Sequence, residues 1–471
     1  MRETLHPLVL KFGGTSVGTP EAMRQAASVV HDEVKRGEAV VVVTSALSGV
    51  TNLLLGATEQ AAKSGLSDTQ AANRIATAHE AIINALLPRN QREPMRRLIA
   101  ERVQAFLRLL EAIAVLGEVT PRAYDAIASL GERMSAPLFA AVLRARGVPS
   151  EYVDAAEIIR TDANFQNAQP NFELSASLIN SRLRPLLSAE SVPVVTGFIG
   201  ATEDGITTTL GRGGSDYTAA LLGAALQARE VHIYTDVDGV MSADPRIVPE
   251  ARTLPRLSYR EVAELAYFGA KVLHPKTIRP VIEGGIPLRV RNTFNPKGAD
   301  TLIVQRSEAA PGTAKAVTLI RNLSLITVEG RGMLGVPGVA ARTFAAVAQT
   351  DTSVVLITQA SSEQSITFAV AADAAGKVVS ALEETFKAEI ARRDIDRIAA
   401  VAPVAVVTVV GAGMQHTVGV AGRLFTALGK AGVNIIAIAQ GSSEVAISFA
   451  VDEADAEKAV RAVHRLTVAS A

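Results

Sequence analysis

The sequence predicts an α/β protein in two parts: a mostly parallel sheet layered with helices over residues 1–300, then two small βαββαβ units. Three observations predict it. Short Val- and Ile-rich runs alternate with longer helical patterns through the first 300 residues, the pattern of a parallel sheet covered on both faces. The remainder carries an internal repeat in fixed register, the pattern of a duplicated small unit. And 471 residues outrun one hydrophobic core, since cores stop growing at about 250–300 residues.

Leu8–Phe12, Ala39–Thr44, Val192–Thr196, Glu230–Thr235 and Pro287–Arg291 read as buried strands. Pro20–Arg36, Ser129–Arg146, Asp216–Ala228 and Tyr259–Phe268 read as the helices between them. The stretch Asn295–Lys315 mixes Pro, Gly, Lys and Glu without periodicity and marks a domain boundary.

Beyond it, Gly332-Met333, Gly338, Arg342, Phe344, Gln359, Ser361-Ser362-Glu363, Ile366 and Phe368 recur as Gly413-Met414, Gly419, Arg423, Phe425, Gln440, Ser442-Ser443-Glu444, Ile447 and Phe449. Every pair stands 81 positions apart. Chance similarity of Ala/Val-rich sequence would not hold Gln, Arg, Met and Glu in register, so the segment is a duplication. Each copy reads strand, glycine turn, helix, strand, short turn, strand, then a helix near Ala374–Phe386 or Ala454–Leu466.

Composition excludes several classes of function. The 47 Lys+Arg balance the 47 Asp+Glu, so no basic stripe offers itself to nucleic acid. Without cysteine there are no disulfides, no thiolate nucleophile and no Cys-ligated metal. The most continuous apolar runs, Ala39–Val43 and Val404–Val410, fall far below the roughly 20 residues of a membrane span. The first twelve residues show no apolar core or small-residue cleavage site of a signal peptide. A cytoplasmic protein is expected.

Two glycine-rich loops carry the chemistry. Lys11-Phe12-Gly13-Gly14-Thr15-Ser16-Val17-Gly18 follows a strand and precedes a helix. Successive glycines let backbone N–H groups converge on an anion, and a helix start adds its positive end. The lysine precedes the glycines, so this is not the GxxxxGK[ST] loop; a tight turn with a solvated lysine would read the same way. The second loop is Thr209-Leu210-Gly211-Arg212-Gly213-Gly214-Ser215-Asp216-Tyr217-Thr218. Ser215 or Asp216 would make a natural N-cap, but a cap does not require three glycines and an arginine. Arg offers a planar fork for carboxylate or phosphate. Two such loops suggest facing sites, one for a nucleotide phosphate and one for an acidic substrate.

Ser45, Ser48 and Thr51 follow a strand at the end where α/β sheets bind ligands. Glu132 opens a helical stretch, where it would complement the dipole on a surface. Thr235-Asp236-Val237-Asp238-Gly239 ends another strand and is as readily a turn. Lys271 follows a helix. His274, beside Pro275, is read as structural, since no pair of histidines stands at HxxxH spacing.

Together KFGGTSVG, VTSALSGVTN, SLGERMSA, TTTLGRGGSDYTA, TDVDGVMSADPR and GAKVLHP, in this order and before the repeat, resemble the aspartate kinase family. The resemblance covers essentially the whole chain. It implies an amino-acid-kinase three-layer sandwich (1–300) followed by two ACT-type domains (316–398 and 401–471). It implies transfer of the ATP γ-phosphoryl to the β-carboxylate of L-aspartate, giving 4-phospho-L-aspartate, the step that opens the route to Lys, Thr, Met and diaminopimelate. Carried over residue by residue, it implies that Lys11 and the Gly13 and Gly14 amides hold the phosphoryl oxygens, with Asp216 positioning Lys11. Arg212 would clamp the aspartate α-carboxylate, Glu132 the α-ammonium, and Ser45, Thr51 and Ser215 would complete the pocket. Thr235, Asp236, Arg246 and Lys271 would surround the nucleotide, with Mg²⁺ bridging its phosphates and no metal caged by the protein. Met241 departs from the pattern, standing where several members carry Tyr beside the nucleotide.

Gln359 and Gln440 end equivalent strands of the repeat. Gln donates to a carboxylate or hydroxyl and accepts from an ammonium, although it also suits a loop backbone. The family's threonine-sensitive members carry such glutamines, so L-threonine is the expected feedback inhibitor and L-lysine the second. The partners expected are small molecules and a second copy of the chain through the ACT domains, with no nucleic acid or membrane. Acetylglutamate, glutamate or uridylate kinases would share the phosphate loops without the repeat or SLGERMSA. A non-catalytic sensor would lack Lys11 or Asp216. With the sequence ending at Ala471, no homoserine dehydrogenase part is expected.

Overall fold

The computed structural model describes residues 5–269, 273, 275–306, 312–360 and 364–468. They form two compact units. The first takes the described residues up to Val240, with Pro255–Tyr259 and Leu273–Gln305. The second takes Met241–Leu254, the described part of 260–272, and the described residues from Arg306 onward.

The first unit is built on an eight-stranded sheet. Its strands are β1 (Leu8–Phe12), β2 (Val40–Thr44), β3 (Ser150–Val153), β4 (Val192–Thr196), β7 (Glu230–Thr235), β8 (Arg256–Ser258), β9 (Leu288–Asn292) and β10 (Thr301–Val304), in the order β3-β4-β2-β1-β7-β9-β10-β8. Neighbours from β3 to β9 run parallel; only β9–β10 is antiparallel. A side hairpin joins β5 (Ile199–Ala201) to β6 (Thr207–Thr209). β1, β2 and β4 are almost wholly buried, as central parallel strands covered on both faces must be. Helices Pro20–Lys35 and Pro121–Ala145 pack on one face, Phe172–Ser188 and Gly214–Leu226 on the other. This is the layered sandwich the sequence predicts.

The five predicted strands and four predicted helices of this part all appear. The helix expected from Ser129 starts at Pro121, because the Thr120 hydroxyl accepts the Ala123 N–H and Pro121 suits the first turn. That helix is long and apolar enough to cross a bilayer, but most of it is buried within the first unit. Helices Val50–Ser64, Thr69–Leu86 and Arg89–Leu116, which the sequence reading passes over, stack beside it.

In the second unit the repeat is visible element by element. Helices Val339–Gln349 and Val420–Lys430, strands β12 (Leu356–Gln359) and β15 (Ala437–Gln440), and β13 (Ser365–Ala371) and β16 (Ala446–Asp452) correspond at the repeat spacing. Two long strands, β11 (Ala316–Glu329) and β14 (Arg397–Val410), pair antiparallel along their length in a six-stranded sheet, β12-β13-β11-β14-β16-β15. Residues 323–329 of β11 pair with β13, and residues 404–410 of β14 pair with β16. Residues 316–320 pair with 406–410, in the second copy's first strand, and residues 397–401 pair with 325–329, in the first copy's. The first βαββαβ unit is thus closed by the strand that follows its own last helix, residues 397–401, while the second is closed by residues 316–320, which precede the first copy. Ala243, Ile247 and Val248 bury themselves in the core of the second copy, with Val407, Phe449 and Val463, which ties the 241–254 segment to this unit.

Candidate active site

The two glycine-rich loops meet at the carboxyl ends of β1 and β2. Between them lies a cavity of about 450 Å³, lined by Lys11, Gly14, Thr15, residues 45–49, Thr51 and Asn52, Glu132, Phe198 and the Gly211–Asp216 loop without Arg212. This is the end of a parallel sheet at which α/β folds bind ligands.

Lys11, last but one in β1, reaches across to the first turn of helix Gly214–Leu226, where its Nζ lies 2.6 Å from Asp216 Oδ1. Their side chains are 12% and 15% exposed, so the pair is only partly screened by water. The solvated-lysine reading is set aside. The N-cap of that helix is Gly213, with no side-chain cap, so neither Ser215 nor Asp216 serves as the cap. Its Gly214 N–H donates to the Gly211 carbonyl at 3.0 Å, and the helix start itself supplies the positive end that favours an anion. Gly14 packs against the neighbouring turn: a Cβ there would stand 3.1 Å from the Ala46 carbonyl oxygen. The Gly13 N–H is already committed, donating to the Tyr234 carbonyl at 3.3 Å. Gly14 is the glycine of this pair on the cavity wall.

A chain of hydroxyls and backbone groups holds the opposite wall. Ser45 Oγ donates to Ser215 Oγ at 3.0 Å, and Ser135 Oγ donates to the Ser45 carbonyl at 2.7 Å. Glu132 is 3% exposed. Its Oε1 accepts the Ala46 N–H at 3.1 Å, and Oε2 has no partner among the described residues. Burial pushes its carboxyl up to about 8, against the opposing pull of backbone hydrogen bonds and of Lys11. A buried acid on the wall of a polar cavity, with hydrogen-bonding capacity left to fill, suits an ammonium group.

The remaining predicted residues are more dispersed. Thr51 lines the cavity; Arg212 does not. Arg212 is exposed and lines an adjoining cavity of about 320 Å³ with Gln166, Asn167 and Tyr217. Thr235 ends β7, next to β1, and Asp236 follows it, its carboxylate accepting the Thr235 hydroxyl at 3.1 Å. Arg246 belongs to the second unit, where it grips Asp244 through Nε and Nη2 (3.0 and 2.7 Å) and is 86% exposed. Met241 is also in that unit, within 3.6 Å of the Thr253 hydroxyl. Lys271 and His274 lie outside the described residues. Sequence reasoning missed Asn52 and Phe198 on the cavity wall. Asn52 sits in the quoted VTSALSGVTN segment, but Phe198 adopts a left-handed φ of 68° that no residue type announces.

In the second unit Gln359 and Gln440 occupy the same register, opposite Ile366 and Ile447, and both are exposed. Gln359 lines a cavity of about 400 Å³ with Thr358, Thr367 and Ile435; Gln440 is not on its wall. Ser361, Ser362 and Glu363 lie outside the described residues.

The Amino acid kinase family profile matches residues 7–292, and the ACT domain profile matches residues 326–386 and 407–466. The bifunctional aspartokinase/homoserine dehydrogenase of Haemophilus influenzae is 37% identical over 460 residues, 97% of this chain and 56% of that protein. The chain spans about half the length of the bifunctional relatives it matches. Aspartokinase 1, chloroplastic, of Arabidopsis thaliana is 36% identical over 466 residues, 97% of this chain and 79% of that protein. Among solved structures, E. coli aspartokinase III with aspartate and ADP (R-state) is similar at a TM-score of 0.81 and 34% identity, over 98% of this chain and 100% of that one. The same enzyme with lysine and aspartate (T-state) gives 0.78 at 34% identity, covering 98% and 99%.

Proposed function

The chain belongs to the amino acid kinase family, in its aspartokinase branch, and on that premise we propose that it transfers the γ-phosphoryl of ATP to the β-carboxylate of L-aspartate, giving 4-phospho-L-aspartate. The observation that carries the reading is the Lys11–Asp216 pair at 2.6 Å, on the wall of a cavity that also holds a buried Glu132. A carboxylate acceptor is ionised at neutral pH and needs no general base. Catalysis then reduces to aligning two anions and neutralising charge on the group in transit. Lys11, kept in place by Asp216, supplies the cation at the phosphoryl, and the start of helix Gly214–Leu226 adds its positive end. Glu132 receives the acceptor's ammonium, while Ser45, Thr51 and Ser215 offer hydroxyls around it. Arg212 takes the α-carboxylate once its side chain turns into the cavity. Thr235 and Asp236, at the end of β7, serve the nucleotide.

The donor set fits a magnesium ion carried by the nucleotide. Among the described residues no three His, Cys, Asp or Glu converge as a metal cage, and Asp216 is engaged by Lys11. Bound Mg²⁺ would neutralise phosphate charge, keeping most of its ligands as phosphate oxygens and water.

Hydroxylamine trapping tests the reading. Aspartyl hydroxamate should form with ATP and L-aspartate and not with glutamate or acetylglutamate; hydroxamate from either of those alone would reassign the acceptor.

We further propose feedback control in a cytoplasmic homo-oligomer assembled through the ACT domains, by an amino-acid end product of the Lys/Thr/Met route. Threonine is favoured by the paired glutamines. Lysine is supported by its presence in the E. coli relative's T-state structure.

A further inference from the structure

Helix Pro121–Ala145 carries a second buried carboxylate two turns before Glu132. Positions seven apart share a helix face, so both acids point to the same side. Asp125 is 1% exposed, and both of its oxygens are taken. Oδ1 accepts the Thr209 hydroxyl at 2.7 Å and the Gln166 N–H at 3.1 Å. Oδ2 accepts the Thr209 N–H at 2.9 Å and shares the Gln166 N–H at 3.0 Å. Asp is a poor residue inside a helix, and burying an acid costs free energy unless its hydrogen bonds are made. Nothing local in the helix calls for it.

The two segments it holds are the supports of one corner. Thr209 ends β6 and leads directly into Leu210-Gly211-Arg212. Gln166, at a left-handed φ of 69°, lies in the turn that braces Gly211 from the other side. A Cβ on Gly211 would stand 3.1 Å from both the Gln166 carbonyl oxygen and Asn167 Oδ1. Gly211 itself has φ +76°, so the corner accepts no other residue without strain. The Ala168 N–H closes the brace, donating to the Thr209 carbonyl at 3.0 Å. Gly211 is on the wall of the main cavity and of its neighbour, and Arg212 follows it.

We propose that Asp125 is a positioning residue for the acceptor amino acid: it locks the Gly211–Arg212 corner in register with Glu132 on its own helix, so that one amino acid spans from carboxylate to guanidinium. The proposal rests on the aspartate kinase reading. Asp125 is off the cavity wall, and both of its oxygens are held by Thr209 and Gln166. Its loss acts through the acceptor pocket and spares the nucleotide, whereas a purely structural role would weaken both substrates together or only lower the melting temperature.

Asp125→Asn in the full chain keeps the shape but faces an amide NH₂ toward backbone donors. The aspartate KM should rise at least tenfold, the ATP KM should stay within twofold, and kcat at saturating aspartate should stay within threefold. Thr209→Val, which deletes the hydroxyl bond alone, should raise the aspartate KM threefold or more with the ATP KM unmoved; it decides the matter if Asp125→Asn does not fold. An unmoved aspartate KM in the folded variant, or equal rises for both substrates, overturns the positioning role. If wild type forms no aspartyl hydroxamate, the parent reading fails first, before any variant is compared.

Discussion

Lys11 Nζ and Asp216 Oδ1 stand 2.6 Å apart, joining the end of β1 to the first turn of helix Gly214–Leu226 and so one glycine-rich loop to the other. The pair fixes a flexible four-carbon cation at one point. Asp216 can hold that position cheaply because a helix N-terminus favours a negative charge.

Lys11→Ala should therefore abolish phosphoryl transfer and leave the fold intact. The side chain contributes charge at a strand end, and the unpaired Asp216 retains the helix dipole as a partner. Loss of one preorganised group at the transferring centre costs about 3 kcal/mol or more of transition-state stabilisation. Purified Lys11→Ala that keeps more than a tenth of wild-type turnover, with an unchanged circular dichroism spectrum, would refute the assignment.

Glu132 gives a pH signature. Burial pushes its carboxyl up to about 8, so below that pH the acid is neutral and a poor partner for an ammonium. The kcat/KM for aspartate should climb as pH rises toward 8 and level above it, because that parameter reports the free enzyme. Glu132→Gln should be weak and flat over the same range. Stability runs the other way. Between the ordinary glutamate value, about 4.3, and 8 the unfolded chain ionises while the folded one does not, so folding loses stability as pH rises. Glu132→Gln should therefore gain melting temperature relative to wild type at pH 8 more than at pH 5. A pH-independent wild-type kcat/KM would remove Glu132 from the ammonium site.

Much of this was legible from the sequence, for a physical reason. Lys11, Gly14, Ser45, Thr51 and Ser215 lie in contiguous loops after strands, and the sheet's direction alone puts those loops at one end. Glu132 was legible only through its motif; its burial comes from packing of its helix against the Ala46 turn. What was not legible depends on contacts between distant segments. Asp125 reads as an ordinary helix residue until Thr209 and Gln166 are brought to it. That residues 316–320, ahead of the first repeat, close the second depends on the pairing of β11 with β14, which an 81-residue periodicity does not encode. Helices Val50–Ser64, Thr69–Leu86 and Arg89–Leu116 follow one another with no strand between them, so no strand–helix alternation marks them.

Arg212 makes a further test because its guanidinium lines the cavity beside the one its proposed substrate would enter. A planar fork that swings onto a carboxylate makes two parallel bonds, and a lysine makes one point contact. Arg212→Lys should raise the aspartate KM at least tenfold and leave the ATP KM within twofold. Equal shifts for both substrates would move Arg212 to the phosphates.

The last prediction separates the two effector readings. Gln359 and Gln440 share a register in the two repeats, yet only Gln359 lines the cavity of about 400 Å³ beside Ile435. If the repeats held two equivalent sites, either single substitution would remove half the response. The asymmetry instead makes Gln359→Ala the more damaging change. An effector inhibits only as far as it prefers one arrangement of the protein over another, and by linkage saturating aspartate must then weaken effector binding by the same factor. Millimolar L-threonine should inhibit wild type, Gln359→Ala should shift its half-inhibiting concentration at least fivefold, and Gln440→Ala should shift it less. Steady-state assays of wild type, both single variants and the double variant against threonine and lysine decide it. Wild type indifferent to threonine but inhibited by lysine would hand the site to lysine. A double variant that stays fully sensitive to either amino acid would remove both glutamines from effector binding.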